Sequence, residues 1–306
     1  MQKGDTMSNI LLETGNGEFE IVEFLVNGTH YGINVLKIKE IVRPNEVSPL
    51  PGSTKGIVGR AVVRDNMVST IDLKKVINGV NIDTQNGTMG LLCEFNQTTV
   101  VFLIEEVVGI KRVKWSEITN SGGIDQDSLI IGTVLLNEKI IMLLDFESIL
   151  LSLDPNNKSY HETFKDDGKK HARNKVDLVI ADDSKTVREL LKDALEDAGY
   201  NSLKVFNDGL EAYEYLTSVK EEFGKNFNQQ VNLLISDIEM PMLDGYTLTK
   251  RIKEDEVLGS LPVILFSSLI TDELYKKGEQ VGADAQISKP SIKTLVGTID
   301  GLLGIK

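Results

Sequence analysis

One cysteine and three histidines in 306 residues leave little for a zinc site, which takes about four ligands of those types. Cys93 has no partner for an internal disulfide and lies in the apolar run LLCEF, so the expectation is a buried, inert thiol in a reducing compartment. Basic charge is also short. Against 46 Asp and Glu stand 33 Lys and Arg, a formal net charge of −13 with no basic stripe, which argues against a nucleic-acid-binding surface. No apolar run approaches the ~20 residues needed to span a bilayer. The opening residues, MQKGDTMSNILLETGNGE, lack the apolar core and small-residue cleavage site of a secretory signal. The expectation is a cytoplasmic chain that reaches a membrane only by holding a membrane protein.

What is present reads as two folded halves of different period. The composition, 41% hydrophobic and 26% charged, is that of a globular protein, and the length suits two domains. From Glu18 to about Leu153, short apolar runs such as FEIVEFLV, IVGRAVV, MVSTIDL, TTVVFLI and KIIMLLDF alternate with turn signals. These include the Asn-Gly pairs at 27–28, 78–79 and 86–87. Such spacing indicates an all-β barrel or sandwich, and no 20–50-residue self-similarity points to a solenoid or propeller. Residues 154–174 then carry almost no apolar side chains and dense mixed charge, the composition of an exposed linker, and include His161 and His171. After it, strands VDLVIA, NSLKVF, VNLLIS, PVILFSS and AQIS each precede an amphipathic helical stretch. Five β-then-α units predict a doubly wound parallel sheet. The expected organisation is an extension over 1–17, a β domain over 18–153, a linker over 154–174 and an α/β domain over 175–306.

In such sheets functional groups gather at the carboxyl ends of the strands. Those ends carry Asp182-Asp183, Asp237, Ser267-Ser268 and Lys289-Pro290. Three converging carboxylates repel one another, and a hard divalent cation such as Mg2+ relieves that. A metal held by Asp183 and Asp237 would neutralise an incoming phosphoryl group, with Lys289 and Ser267 binding its oxygens and Asp237 acting as nucleophile. Any one aspartate here is more simply a helix cap, as Asp183-Ser184 suggests, and Lys289 alone a solvated charge. The joint occurrence at the ends of strands one, three, four and five favours a site.

These residues carry a resemblance. LVIADDS, LLISDIEMPMLDG, ILFSS and AQISKP, with steps of 30 and 22 residues from Asp237 to Ser267 to Lys289, are similar to a response-regulator receiver domain, a flavodoxin-like fold. The resemblance implies that Asp237 accepts phosphate from a phosphohistidine on a partner kinase. It also implies that Asp183, Asp237 and the backbone carbonyl of Glu239 hold Mg2+, with Asp182 acting through water. Two features depart from the pattern: TSVKEEFGKNFNQQ is long, and Gln286 stands where many receivers carry an aromatic switch residue.

The β-rich half resembles the CheW family of coupling domains, with a pair of β-barrels, through EFLVNGTHYGINVLKIKEIVRP, VVRDNMVSTIDL, VVFLIEEVVGIKRV and IIGTVLLNEKIIMLLD. Where the family reads close to RGxxxPVxDL, Arg64 matches but Asp65 and Ser69 replace glycine and proline. By pattern alone Tyr31, Ile33 and Val35 belong to a half-buried strand, His30 to a turn or strand edge, and Glu40 and Arg64 to the solvated surface. No nucleophile–base pair, metal set or phosphate-cradling loop appears in this half, which favours a binding module. The resemblance implies two partners, the cytoplasmic tips of chemoreceptors and the kinase CheA, with Glu40 and Arg64 as contacts.

A coupling domain followed by a receiver is the arrangement of the CheV-type chemotaxis proteins. It implies an adaptor, not an enzyme, whose docking changes with phosphate on Asp237. Alternatives are a phosphate sink for the kinase and, since Glu239 follows Asp237 by two residues, an aspartyl-phosphate phosphatase; a transcription regulator is disfavoured by the acidic charge.

Overall fold

The structure is a computed structural model that describes residues 18–44, 46–52, 56–82, 88–95, 98–114, 117–119, 129–153, 164, 167–268 and 272–306. The extension over 1–17, the Asn86-Gly87 turn, His161 and most of the linker lie outside the described residues. The chain divides into two compact units, with the division between Pro155 and Asn156.

The first unit contains β1 (Glu18–Val26), β2 (Thr29–Asn34), β3 (Ile38–Val42), β4 (Val47–Ser48), β5 (Ile57–Val63), β6 (Asn66–Asp72), β7 (Met89–Phe95), β8 (Thr98–Ile104), β9 (Glu106–Lys114), β10 (Ile118–Thr119), β11 (Ile130–Leu136) and β12 (Lys139–Leu144). They form two six-stranded sheets, ordered β10-β11-β12-β2-β1-β9 and β3-β7-β8-β6-β5-β4. Two-residue turns with both residues at positive φ join β1 to β2 (Asn27-Gly28), β5 to β6 (Arg64-Asp65) and β11 to β12 (Asn137-Glu138). That handedness matches the twist of paired strands. Asp65 sits at φ 66°, a conformation aspartate tolerates better than most side chains, so it can stand where the family has glycine.

The unit is not all β. Strand β6 ends in Asp72 and β12 is followed by Asp145, and each carboxylate accepts the backbone N–H three residues on: Lys75 N at 3.0 Å and Ser148 N at 2.9 Å. These caps turn the chain into helices α1 (Leu73–Asn78) and α2 (Phe146–Leu153), each starting at the last residue of the MVSTIDL and KIIMLLDF runs, so the unit is mostly rather than wholly β. The Asn78-Gly79 pair is likewise no hairpin turn; Gly79 is the left-handed cap that ends α1. Helix α2 inserts Phe146 between the sheets, with ring centroids 6.3 Å from Phe24 of one and 4.7 and 6.2 Å from Phe102 and Phe95 of the other. Each such ring pair adds about 0.5–1.5 kcal/mol beyond area burial. Cys93 is buried in the same cluster, and burial pushes its thiol up, so it stays protonated as expected.

The second unit contains β13 (Asp177–Ala181), α4 (Lys185–Ala198), β14 (Ser202–Phe206), α5 (Gly209–Phe223), β15 (Leu233–Ser236), α6 (Gly245–Lys253), β16 (Val263–Ser267), α7 (Asp272–Gln280), β17 (Ala285–Ser288) and α8 (Ile292–Leu303), preceded by a one-turn helix α3 (Lys170–Arg173). All five strands are parallel in the order β14-β13-β15-β16-β17, the doubly wound sheet the alternation predicts. The long TSVKEEFGKNFNQQ segment finishes α5 and continues as a 3-10 turn over Gly224–Gln229 that buries Phe227 in the core, so it extends the fold rather than looping out.

The expectation of an exposed linker over 154–174 fails at its end. Arg173 is buried, donating to both Asp300 oxygens (3.0 and 2.8 Å), to the Ala198 carbonyl (2.8 Å) and to Asp167 (2.6 Å). Tyr200 adds a 2.6 Å bond to Asp300. A charge buried with this many partners is structural, and composition alone does not distinguish it from a solvated one.

Candidate functional site

The sheet order explains why residues far apart in sequence meet. Strand β13 lies beside both β14 and β15, so the chain leaves to opposite sides around it and opens a crevice at its carboxyl end. Asp182 and Asp183 follow β13, and Asp237 follows β15, with the Asp237 N–H bonded to the Ala181 carbonyl at 2.8 Å. One carboxylate oxygen from each of the three lies within 4.8 Å of the others. Lys289 follows β17 and reaches in: its Nζ is 2.7 Å from Asp182 Oδ2 and 3.3 Å from Asp237 Oδ2. Its backbone N–H donates to the carbonyl of Ser267 at 3.0 Å, tying the hydroxyl-bearing end of β16 to the same edge.

Burial excludes the ordinary readings of these groups. Lys289 is 1% exposed, so it is not a solvated charge, and Asp182 and Asp237 are 2% and 3% exposed. Nor is Asp183 the helix cap, because Ser184 takes that place and accepts the Val187 N–H at 3.3 Å. Asp182 accepts the Ser184 N–H at 2.9 Å through Oδ1, and Arg188 donates to its carbonyl at 2.6 Å. Asp237 Oδ1 accepts the Ile238 N–H at 2.7 Å. The local chain is shaped for close approach: a Cβ on Gly245 would fall 2.0 Å from the Asp237 carbonyl oxygen. Ser267, Ser268 and Glu239 are all buried, Glu239 in the loop between β15 and α6. Three carboxylates facing one ammonium leave a negative excess, and the donors are all oxygen, which suits a hard divalent cation.

Helix α7 flanks this edge. The Tyr246 hydroxyl donates to the Leu274 carbonyl at 2.9 Å, and Lys277 Nζ lies 4.5 Å from the Tyr246 ring centroid. Burial, then the neighbouring carboxylates of Glu239, Asp244 and Asp237, push the Tyr246 hydroxyl well up, so it remains a donor; burial pushes the Lys277 ammonium down.

In the first unit the two candidates Glu40 and Arg64 do come together, as an exposed ion pair with Nε–Oε2 of 3.0 Å. His30 is a strand residue paired with Glu23 at 2.6 Å; Tyr31 and Ile33 are buried positions of β2 as the pattern predicts, while Val35 lies past the strand in a 3-10 turn. The sequence reading missed a surface feature beside Arg64. Val62 and Met67 face each other across the β5–β6 hairpin and are 66% and 73% exposed, and Leu135 and Ile140 repeat the arrangement across β11–β12. The available signal was phase: Ala61, Val63 and Val68 take the inward positions, leaving Val62 and Met67 outward.

Comparison with known proteins agrees with this division. The CheW-like domain family matches residues 20–154, and the response regulator receiver domain family matches residues 178–300. Chemotaxis protein CheV3 of Helicobacter pylori is 28% identical over 288 residues, covering 89% of this chain and 90% of that protein. Chemotaxis protein CheV2 of the same organism is 25% identical over 277 residues, covering 86% of each. Chemotaxis protein CheY-3 of Vibrio cholerae is 31% identical over 113 residues, covering 37% of this chain and 79% of that protein.

Proposed function

The chain is a CheV-type chemotaxis coupling protein, a CheW-like domain joined to a response-regulator receiver domain, and we propose that it couples chemoreceptors to the histidine kinase CheA under control of phosphate on Asp237. The observation that carries this reading is the cluster of Asp182, Asp183 and Asp237 at one sheet edge, with buried Lys289 paired to Asp182 and Asp237. The cluster fits Mg2+, which Asp183, Asp237 and the Glu239 backbone carbonyl would hold, with Asp182 nearby as an outer partner; the ion would supply positive charge for the phosphoryl oxygens.

The chain's own residues do the rest. An Asp237 carboxylate oxygen forms the new bond to phosphorus as the P–N bond of a phosphohistidine breaks, and the electron pair leaves with the imidazole. Lys289 turns from Asp237 to a phosphoryl oxygen, and the Ser267 hydroxyl donates to another. The product adds charge and strong acceptors at the carboxyl edge, which biases the neighbouring β16–α7 surface. The first unit supplies docking. The exposed Val62–Met67 and Leu135–Ile140 pairs offer apolar contact, and the Arg64–Glu40 pair rims the first of them. Among the described residues no helix is long and apolar enough to cross a membrane, and we place the chain at receptor arrays through these protein contacts.

Incubation with the phosphorylated kinase and Mg2+ tests the reading. The expected result is one stoichiometric label on the wild type, none on Asp237→Asn, and a changed affinity for receptor and kinase only in the labelled protein. Labelling with unchanged affinity would instead make the receiver a phosphate sink, and sustained turnover would make it a phosphatase.

A further inference from the structure

Gln286 stands where many receivers carry an aromatic switch residue, and the structure gives it other work. From β17 its Nε2 donates to the Tyr275 carbonyl of α7 at 2.6 Å. The amide lies in a notch made by Gly278, where a Cβ would fall 2.1–2.5 Å from its atoms. A glycine inside a helix is locally unfavourable, and this close approach accounts for it. One turn of α7 is therefore fastened at two successive carbonyls from two other elements: Leu274 by the Tyr246 hydroxyl and Tyr275 by the Gln286 amide.

Both donors leave from segments that the acidic cluster holds directly. Tyr246 follows Gly245, whose N–H bonds the Ile238 carbonyl and whose backbone abuts that of Asp237. Gln286 lies three residues before Lys289 on the strand that ends at the site. The hold is incomplete, however. Gln286 Oε1 is buried and accepts no hydrogen bond among the described residues, so the closed arrangement carries a desolvation cost that an opened one would shed.

Resting on the receiver reading above, we propose that Gln286 is a positioning residue that couples Asp237 to α7. Its amide holds the helix in the unphosphorylated arrangement, and charge arriving at Asp237 loosens that hold. The device is an amide latch, and Gly278 is its second half.

The test is amide hydrogen exchange across α7 in the full chain, with and without acetyl phosphate and Mg2+, in the wild type, Gln286→Leu and Gly278→Ala. Without donor, both variants are expected to exchange roughly tenfold faster over 272–280 than the wild type, the scale of one net hydrogen bond. Exchange over β13 and β15 should stay unchanged. With donor, α7 of the wild type should speed up while the variants respond little, although all three take up phosphate equally. Equal α7 exchange in wild type and both variants before donor, an equal response after it, or faster exchange over the whole receiver would overturn the latch. Failure of the wild type to take up phosphate would sink the receiver reading instead, while the donor-free comparison would still decide whether the latch exists.

Discussion

The two units place charge in opposite ways. In the first, Arg64 and Glu40 pair on the surface with side chains 78% and 34% exposed; in the second, Lys289 pairs with Asp182 and Asp237 where almost no solvent reaches. The separations are alike, 3.0 Å against 2.7 and 3.3 Å, yet the consequences differ. An exposed pair exchanges water for partner at little net gain. A buried ammonium among carboxylates is indispensable, because without it the acids are left uncompensated. Substituting Lys289 with Met should therefore produce the largest loss, about 3–5 kcal/mol from the receiver's unfolding free energy. Urea unfolding should show that unit's transition moving while the coupling unit's stays, with added magnesium recovering part of the loss. Movement of both transitions would break the contrast between the units.

Arg173 sharpens it, being a buried charge with no part in the acidic cluster. Arg173→Ala should cost about 3 kcal/mol by stranding Asp300, without affecting phosphate uptake on Asp237. Burial alone would raise the Asp300 carboxyl, but the hydrogen bonds from Arg173 and Tyr200 outweigh it and hold that carboxyl below its ordinary value of 3.8. A carboxyl depressed in the folded state stabilises fully above its unfolded value and loses that contribution as the pH falls through the folded one. The gap between wild type and Arg173→Ala should therefore be widest near neutrality and shrink below about pH 4, followed by urea midpoints across pH. A gap that widened in acid would reverse the assignment.

The outward apolar pairs test the other half of the contrast, that the coupling unit works through what it exposes. Asp at both Val62 and Met67 should weaken kinase or receptor binding by roughly tenfold or more while leaving stability within about 0.5 kcal/mol. Titration calorimetry and urea unfolding of the same variant separate the two effects.

How legible each region was follows from the kind of order it uses. The five strands and helices of the receiver repeat one pattern, and the residues after each strand converge by topology, so Asp182, Asp183, Asp237, Ser267 and Lys289 could be singled out together. The coupling unit revealed its strands but not α1 and α2. Leu73, Val76 and Ile77, and then Phe146, Ile149, Leu150 and Leu153, do fall at helical spacing, but six and eight residues following directly on apolar strands are too short for that period to stand out. Asp72 and Asp145 act as caps only where the chain turns from a strand. Arg173 was read as linker charge, since its partners Asp300 and Ala198 are more than twenty residues away and nothing local marks them. Gln286 was visible as a departure from the family, but its hold on Tyr275 depends on Gly278, eight positions back and on another element.

The smallest expected effect is at Arg64 itself, and two substitutions there separate two causes. Arg64 sits at φ 48° in its turn, where a side chain other than glycine, asparagine or aspartate is strained. Arg64→Ala removes the ion pair and keeps the strain, so it should cost only about 0.2–1 kcal/mol. Arg64→Gly removes both, and relief of the left-handed strain should return the stability to wild type or slightly above. Partner affinity should fall equally in both if the guanidinium is the contact. If glycine restores binding as well as stability, the turn's shape is what the partner reads, and the exposed pair of the first unit is then as structural as the buried one of the second.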